Sequence, residues 1–390
     1  MKQKSTGISL FDPKSVRTNG YRTAVSLHCH TSHSKESLDF VPRYVSRIPV
    51  ISSLFKREAE RYLLLNGKDL NLAGWYWTPP LGAKAVLESE TGTMEENLGV
   101  TPLVSLTDHD TIAAADKVKA SRDVPISLEW TMPVNGGAFH LGVHNLPLPL
   151  SGWIVDELLS YTRQPEDVRL PELFSLLNDH PATLIVLNHP LSDFNGLGIE
   201  RLRGSVVRFL ERHKKSIHAL EINGHRPWQE NEASMALARR FGLPVVSGGD
   251  RHGGAPNTIL NLTNATTFSE FVAEIRFDKA TEILIMPDYW RNLSMRKLAS
   301  VADFFRFYAE RPDGEKCWTD RVFVGLEEGG VSPLSSYWND MAPVWVKTVM
   351  WLIGLVGTRC LRSLFHLPFS QIIGPPFEVV SPAVGHLDLG

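Results

Sequence analysis

The chain has 390 residues, 43% of them hydrophobic and 21% charged, with a formal net charge of -3 at pH 7. That balance excludes a mainly disordered chain and supplies no broad basic field for nucleic acid, although a local groove stays open. Three cysteines, Cys29, Cys317 and Cys360, lie far apart without a CxxC pair, which excludes a dense disulfide framework and fits a reducing compartment.

Residues 1–21 carry no apolar leader core, so a cytoplasmic location is expected. The stretch SLHCHTSHSKES (26–37) then places three histidines within six residues. On a strand, side chains alternate, so His28 and His30 share a face and Cys29 takes the other. Two imidazoles on one face are either a metal clamp or a coincidence, and the rest of the chain decides between them.

Between residues 41 and 98 the pattern is helical, with one helix closing at Gly67 and another at Gly99. It reads as an insertion in the first β/α connection, with its GWYWTPP segment packed on the rim. Short apolar runs follow the period of buried strands: 24–30, 102–110, 124–130, 138–146, 182–190, 217–224 and 243–252. Helices at 171–180 and 228–242 alternate with them, the second closing on Gly242, and this alternation predicts β/α units within 22–277. From 278 to 390 the alternation fades into an aromatic and proline-rich extension with an amphipathic helix at 296–311. The apolar segment 341–357 carries one charge, Lys347, and falls short of the ~20 residues a bilayer span needs. A buried helix is the first reading, and a peripheral membrane contact through 341–365 is kept open.

Polar residues recur at the strand ends: His28, His30, Asp108, His109, Glu129, His189, Glu221, Asp250 and His252. In a β/α barrel those ends converge on one mouth, where active sites are built. In order, HCH, TDHD, LEW, FH, NHP and GGDRH resemble the successive motifs of the PHP superfamily, named for polymerase and histidinol phosphatase. The resemblance covers roughly residues 22–275 with the insertion set aside. It implies a distorted (β/α)7 barrel holding two to three divalent ions, with phosphate oxygens bridging them. Carried across by motif, His28 and His30 bind one ion, Glu129 bridges to a second held by His140 and His189, and Asp250 returns to the first. His109 and His252 complete a third. The set on which catalysis would depend is His28, His30, Glu129, His189 and Asp250. Mixed nitrogen and oxygen ligands suit Mn2+, Zn2+ or Fe2+ better than Mg2+.

One position departs from the family pattern. Lys35 stands where relatives commonly have an acidic ligand, and Glu36 is taken as its substitute. Among the remaining groups, Asp108 is expected to orient an imidazole, Glu221 and Asn223 to meet a metal-bound water, and Asp110 to cap a helix starting at Thr111. Arg226 and Arg251 are candidate phosphate clamps. His144 shares a strand face with His140 and is expected below the metals. The expected function is a metal-dependent phosphoesterase acting on a small phosphorylated metabolite or nucleotide. The alternatives are a non-catalytic metal-binding regulatory module and a membrane-surface phosphoesterase acting on a phosphorylated lipid or envelope precursor.

Overall fold

A computed structural model describes residues 6–12, 18, 20–39, 41–46, 49–67, 69–72, 74–118, 124–134, 137–305, 317–325, 330–338, 343–356 and 387–388. Among them the strands run, in chain order, β1 (Gly7–Leu10), β2 (Thr23–Cys29), β3 (Glu36–Ser37), β4 (Tyr76–Trp77), β5 (Thr101–Leu106), β6 (Leu128–Val134), β7 (Gly137–His144), β8 (Leu184–Leu187), β9 (Ala219–Asn223), β10 (Val245–Gly248), β11 (Ile259–Thr263), β12 (Glu282–Ile285), β13 (Val322–Gly325), β14 (Val331–Pro333) and β15 (Leu387–Asp388).

Among the described residues the architecture is mixed α/β with three sheets, ordered β15-β1-β12-β11-β2-β5, β10-β9-β8-β7-β6 and β14-β13-β4-β3, none of them closed into a barrel. The expected uniform parallel pairing gives way in places: β6 with β7, β7 with β8, and β11 with both β2 and β12 are antiparallel. The first two sheets approach each other through two isolated bridges, Cys29 to Arg251 and His109 to Glu129.

The chain divides into two compact units: Met1–Ser34, Gly82–Leu293 and Val379–Gly390 form the first, Lys35–Leu81 and Ser294–Glu378 the second. In the first unit, strands β2, β8, β9 and β10 are buried along their whole length, as runs of branched apolar residues demand. Helices Ser151–Arg163, Arg169–Asn178 and Ile199–His213 lay Ile154, Leu158, Phe174, Leu177, Val206 and Leu210 onto Trp130, Leu141 and Leu187 of the sheet. Helix Trp228–Phe241 ends as expected on Gly242 in the left-handed region (φ 67°), and helix Ala83–Leu98 on Gly99 (φ 64°).

The second unit has an aromatic core. Trp75 and Trp77 of the GWYWTPP segment pack with Phe304, Val322, Val324 and Leu334, and Tyr76 stacks on Phe323 at 4.8 Å. Helix Leu293–Phe305 is the described part of the amphipathic segment predicted at 296–311. Of the apolar segment near the C-terminus, Val344–Val356 is a helix of 13 residues, and no described helix is long and apolar enough to cross a membrane. Cys360, His366 and His386 lie outside the described residues.

Candidate metal centre

At the end of β2 the alternation that makes His28 and His30 partners is broken and then restored. The register with β5 shifts between Ser26 and Cys29, and His28 adopts a left-handed backbone (φ 63°). The two rings still converge, Nε2 to Nε2 at 3.1 Å, while Cys29 turns to Ser26 and Asn257. His189 after β8 (φ 26°) and Asp250 after β10 (φ 55°) are left-handed as well. Such conformations cost ~1–3 kcal/mol each in a non-glycine residue and collect at functional sites.

Glu129 stands at the centre, fully buried. Its Oε2 lies 3.1 Å from His28 Nε2 and 3.3 Å from both His30 Nε2 and His109 Nε2; its Oε1 lies 3.3 Å from His189 Nε2 and 3.4 Å from His140 Nδ1. Asp250 Oδ1 sits 3.6 Å from the Nε2 atoms of His28 and His30 and from Nδ1 of His252. Within the first unit, three sets bring one ligand atom from each residue within 4.8 Å of the others: His28, His30, Asp250; His28, Glu129, His189; and His30, His109, Glu129. His140 stands beside them, its ring 5.1 Å from that of His189 and stacked on Phe194 at 4.3 Å.

Hydrogen bonding decides what these atoms can do. Glu221 Oε1 accepts from His28 Nδ1 at 2.6 Å, which puts the proton on Nδ1 and turns the Nε2 lone pair toward Glu129 and His30. Glu129 Oε2, His140 Nδ1 and His189 Nδ1 are buried without a hydrogen-bond partner. A buried acceptor oxygen and buried ring nitrogens that satisfy nothing in the protein are costly, and a cation beside Glu129 Oε2 and His140 Nδ1 would relieve two of them. The donor set therefore fits divalent ions. Without an ion the same carboxylates favour a proton: burial would lower His28, but Glu129, Glu221 and Asp250 outweigh it and hold the ring well above its usual range, so an ion bound at Nε2 would displace that proton. Burial would raise Glu129 and Asp250, yet the surrounding imidazoles, with Arg226 beside Asp250, keep both carboxyls well below theirs. His140 is pushed down to about 4, chiefly by burial, and so is a neutral ring at neutral pH.

Several supporting residues do other work than expected. Asp108 accepts from the Thr31 amide (2.5 Å) and hydroxyl (2.7 Å), clamping the loop after His30 rather than an imidazole. Glu221, expected at a water, orients His28 and accepts the His189 amide at 2.7 Å. Asn223 donates to Glu221 at 2.9 Å. Gly248 lets Glu221 reach: a Cβ there would lie 1.7 Å from Glu221 Oε1. Asp110 caps no helix; the helix starts at Ala113, and Asp110 instead accepts the Thr131 amide of β6 at 2.8 Å. Arg251 is no phosphate clamp. It is buried, its guanidinium held by Glu90 at 2.6 Å, Ser89 and the Gly253 carbonyl. Arg226, by contrast, donates to Asp250 Oδ2 at 3.2 Å with its side chain 19% exposed. His144 is buried with Nδ1 2.8 Å from Ser105, off the ligand sets. Glu36 is buried on β3, in the second unit.

Sequence reasoning missed Asn188, whose Nδ2 donates to Glu129 Oε1 at 2.9 Å, and Ser34, whose hydroxyl meets His30 Nδ1 and the His109 amide. It also missed Phe194. The NHP and HxH motifs drew attention to the histidines alone, although Asn188 adjoins one of them.

No protein-family model matches this sequence, and no curated protein does. Several solved structures resemble parts of it, three of them as follows. An amidohydrolase from Chromobacterium violaceum, with bound sulfate and no metal, is 16% identical over 45% of this chain and 83% of its own, with a TM-score of 0.31. PsfC from Pseudomonas syringae is 14% identical over 53% and 85%, with a TM-score of 0.35. A "putative metal-dependent phosphoesterase" from Bifidobacterium adolescentis is 15% identical over 50% and 91%, with a TM-score of 0.31. At these TM-scores the likeness carries no argument about this chain, and the case for metal rests on its own side chains.

Proposed function

We propose that the chain is a metal-dependent phosphoesterase of the PHP type, hydrolysing the phosphate ester of a small metabolite or nucleotide. The observation that carries this reading is Glu129, a buried carboxylate whose Oε2 accepts no hydrogen bond while five imidazoles stand 3.1–3.4 Å from its two oxygens. Two to three ions of Mn2+, Zn2+ or Fe2+ bound there would polarise phosphoryl oxygens, lower the pKa of a bound water and stabilise the leaving oxygen.

The chain's own residues do the positioning. His28, His30 and Asp250 would hold one ion, with the His28 Nδ1 proton directed to Glu221, and His189 and His140 would hold a second, with Glu129 between the two groups. His109 and His252 would serve a third. Arg226 keeps Asp250 anionic and is the cation assigned to the substrate phosphate, since a guanidinium presents more donors than Asp250 uses. In this reading β2 and β5 to β10 form a distorted seven-stranded ring whose seams are the bridges at Cys29 and His109. The insertion 41–98 and the extension 278–390 are assigned to substrate choice.

The test is release of phosphate from an aryl phosphate and a nucleotide panel with added Mn2+ or Zn2+, beside an amide panel, for wild type and His28→Ala. Phosphate release that the substitution abolishes supports the proposal. Metal-dependent cleavage of amides alone would contradict the phosphoester assignment, and bound metal without turnover of either panel would reassign the chain as a binding module.

A further inference from the structure

Glu129 offers two oxygens to two groups of ligands, and they are not equivalent. Oε1 accepts a hydrogen bond from Asn188 Nδ2 at 2.9 Å, whereas Oε2 accepts none. The direction of that bond is fixed by chemistry, because an ionised carboxylate only accepts and the amide oxygen cannot donate. Asn188 is 3% exposed and tied at its backbone as well, its amide donating to the carbonyl of His140 at 2.9 Å. Its side chain lies over Gly142 of β7, where a Cβ would come within 2.9 Å of Asn188 Oδ1 and 2.7 Å of His144 Nε2. The glycine leaves the space that the amide fills.

Resting on the metal-centre reading above, we infer that Asn188 is a positioning residue that fixes the plane of the Glu129 carboxylate and makes the two ion positions on it unequal. One lone pair of Oε1 is committed to the amide, so the ion on the side of His140 and His189 shares a weakened oxygen. Oε2, which faces His28, His30 and His109, stays whole for the ions on that side. Ions therefore load in sequence, tight on the Oε2 side first and looser on the Oε1 side second. Without the amide, Glu129 turns freely about its terminal torsion and loses its bridging pose, and the second ion suffers most.

The experiment is a competition titration of the metal-free full chain with Zn2+ or Mn2+ against a chromophoric chelator, for wild type and Asn188→Leu, which keeps the shape and removes the donor. Asn188→Ser stands in should the leucine variant not fold, and thermal unfolding of the metal-free proteins is recorded beside both. The expected result is two classes of site in wild type, with the weaker class loosened about tenfold to a hundredfold in the variant, the range for lost outer-shell partners. The tighter class should move less than about threefold, within the scatter of a site whose own ligands are unchanged. A single affinity class in wild type, or equal weakening of both classes alongside a lower unfolding temperature, would overturn the inference and leave Asn188 a structural residue. Failure of the wild-type chain to bind any ion would instead overturn the metal-centre reading on which it rests.

Discussion

Strand β2 feeds two buried carboxylates with opposite fates. Glu90, on helix Ala83–Leu98, accepts from Arg251 (2.6 Å) and the Asn257 amide (3.0 Å) on Oε1, and from the Ser26 hydroxyl (2.8 Å) on Oε2. Glu129, met by His28 two residues further along the same strand, has an oxygen that accepts nothing and a ring of imidazoles around it. Both groups are equally hidden, 1% and 0% exposed, so burial does not separate them. What separates them is whether the protein itself supplies the partners. A carboxylate satisfied by an arginine, an amide and a hydroxyl belongs to the architecture; one left facing imidazole lone pairs is arranged for something from outside.

The sharpest way to break this contrast is to remove a residue from the Glu129 side. His28→Ala should abolish tight binding of at least one ion and lower hydrolysis by about a thousandfold, since the several kcal/mol of charge stabilisation that a metal supplies is lost. Its metal-free unfolding should change far less. Equilibrium metal analysis and phosphate release would check both halves.

On the Glu90 side the effect should fall on stability. Glu90→Gln leaves Arg251 buried without its counter-charge and should cost about 3–5 kcal/mol in urea unfolding, while the pair replaced together by Gln and Met should recover most of the loss. A Glu90→Gln protein of unchanged stability with weakened metal binding would reverse the assignment of the two regions.

Between these extremes stands Glu221, structural in its contacts and functional in its consequence. Glu221→Gln keeps the shape but offers His28 Nδ1 a neutral partner, and should loosen metal about tenfold to a hundredfold with little change in unfolding.

A further expected effect, small within any one pH unit, is a pH slope. His218 is pushed down to about 3, first by burial and then by Arg276 and Lys279, with Nδ1 accepting the Ile185 amide and Nε2 facing Asn178. A histidine depressed in the fold binds its proton only when unfolded, so stability is full above the unfolded pKa near 6.5 and falls as pH drops toward 3, by about 1.4 kcal/mol per pH unit for one proton. Urea midpoints of wild type and His218→Gln between pH 7 and 4 should diverge, with the variant showing the shallower decline.

The same contrast explains what the sequence made legible. His28, His30, His109, Glu129, His189 and Asp250 stand at the ends of apolar runs, where a polar residue interrupts an obvious pattern, and so their grouping was readable. The bulge that lets His28 and His30 meet was not, because strict alternation predicts the same convergence by a simpler path. Glu90 sits in a helix rich in Glu and Thr that reads as a solvated face, and only its pairing with Arg251 across the fold reveals it as core. Asn188 was passed over because an amide beside a histidine carries no periodicity of its own. Strand β11 was not among the apolar runs of the sequence and β12 lay beyond the β/α alternation, and the antiparallel pairing of β6 with β7 was signalled by Asn-Gly-Gly at 135–137, a hairpin signature set aside in favour of parallel order.

The central claim is that Glu129 and its imidazoles form a metal centre, and metal content tests it most directly. After the purified chain is stripped, reconstituted with Mn2+ or Zn2+ and dialysed, plasma mass spectrometry should find two to three ions per chain in wild type and fewer in Glu129→Gln. Absence of any retained divalent ion in a folded wild-type chain would contradict the account.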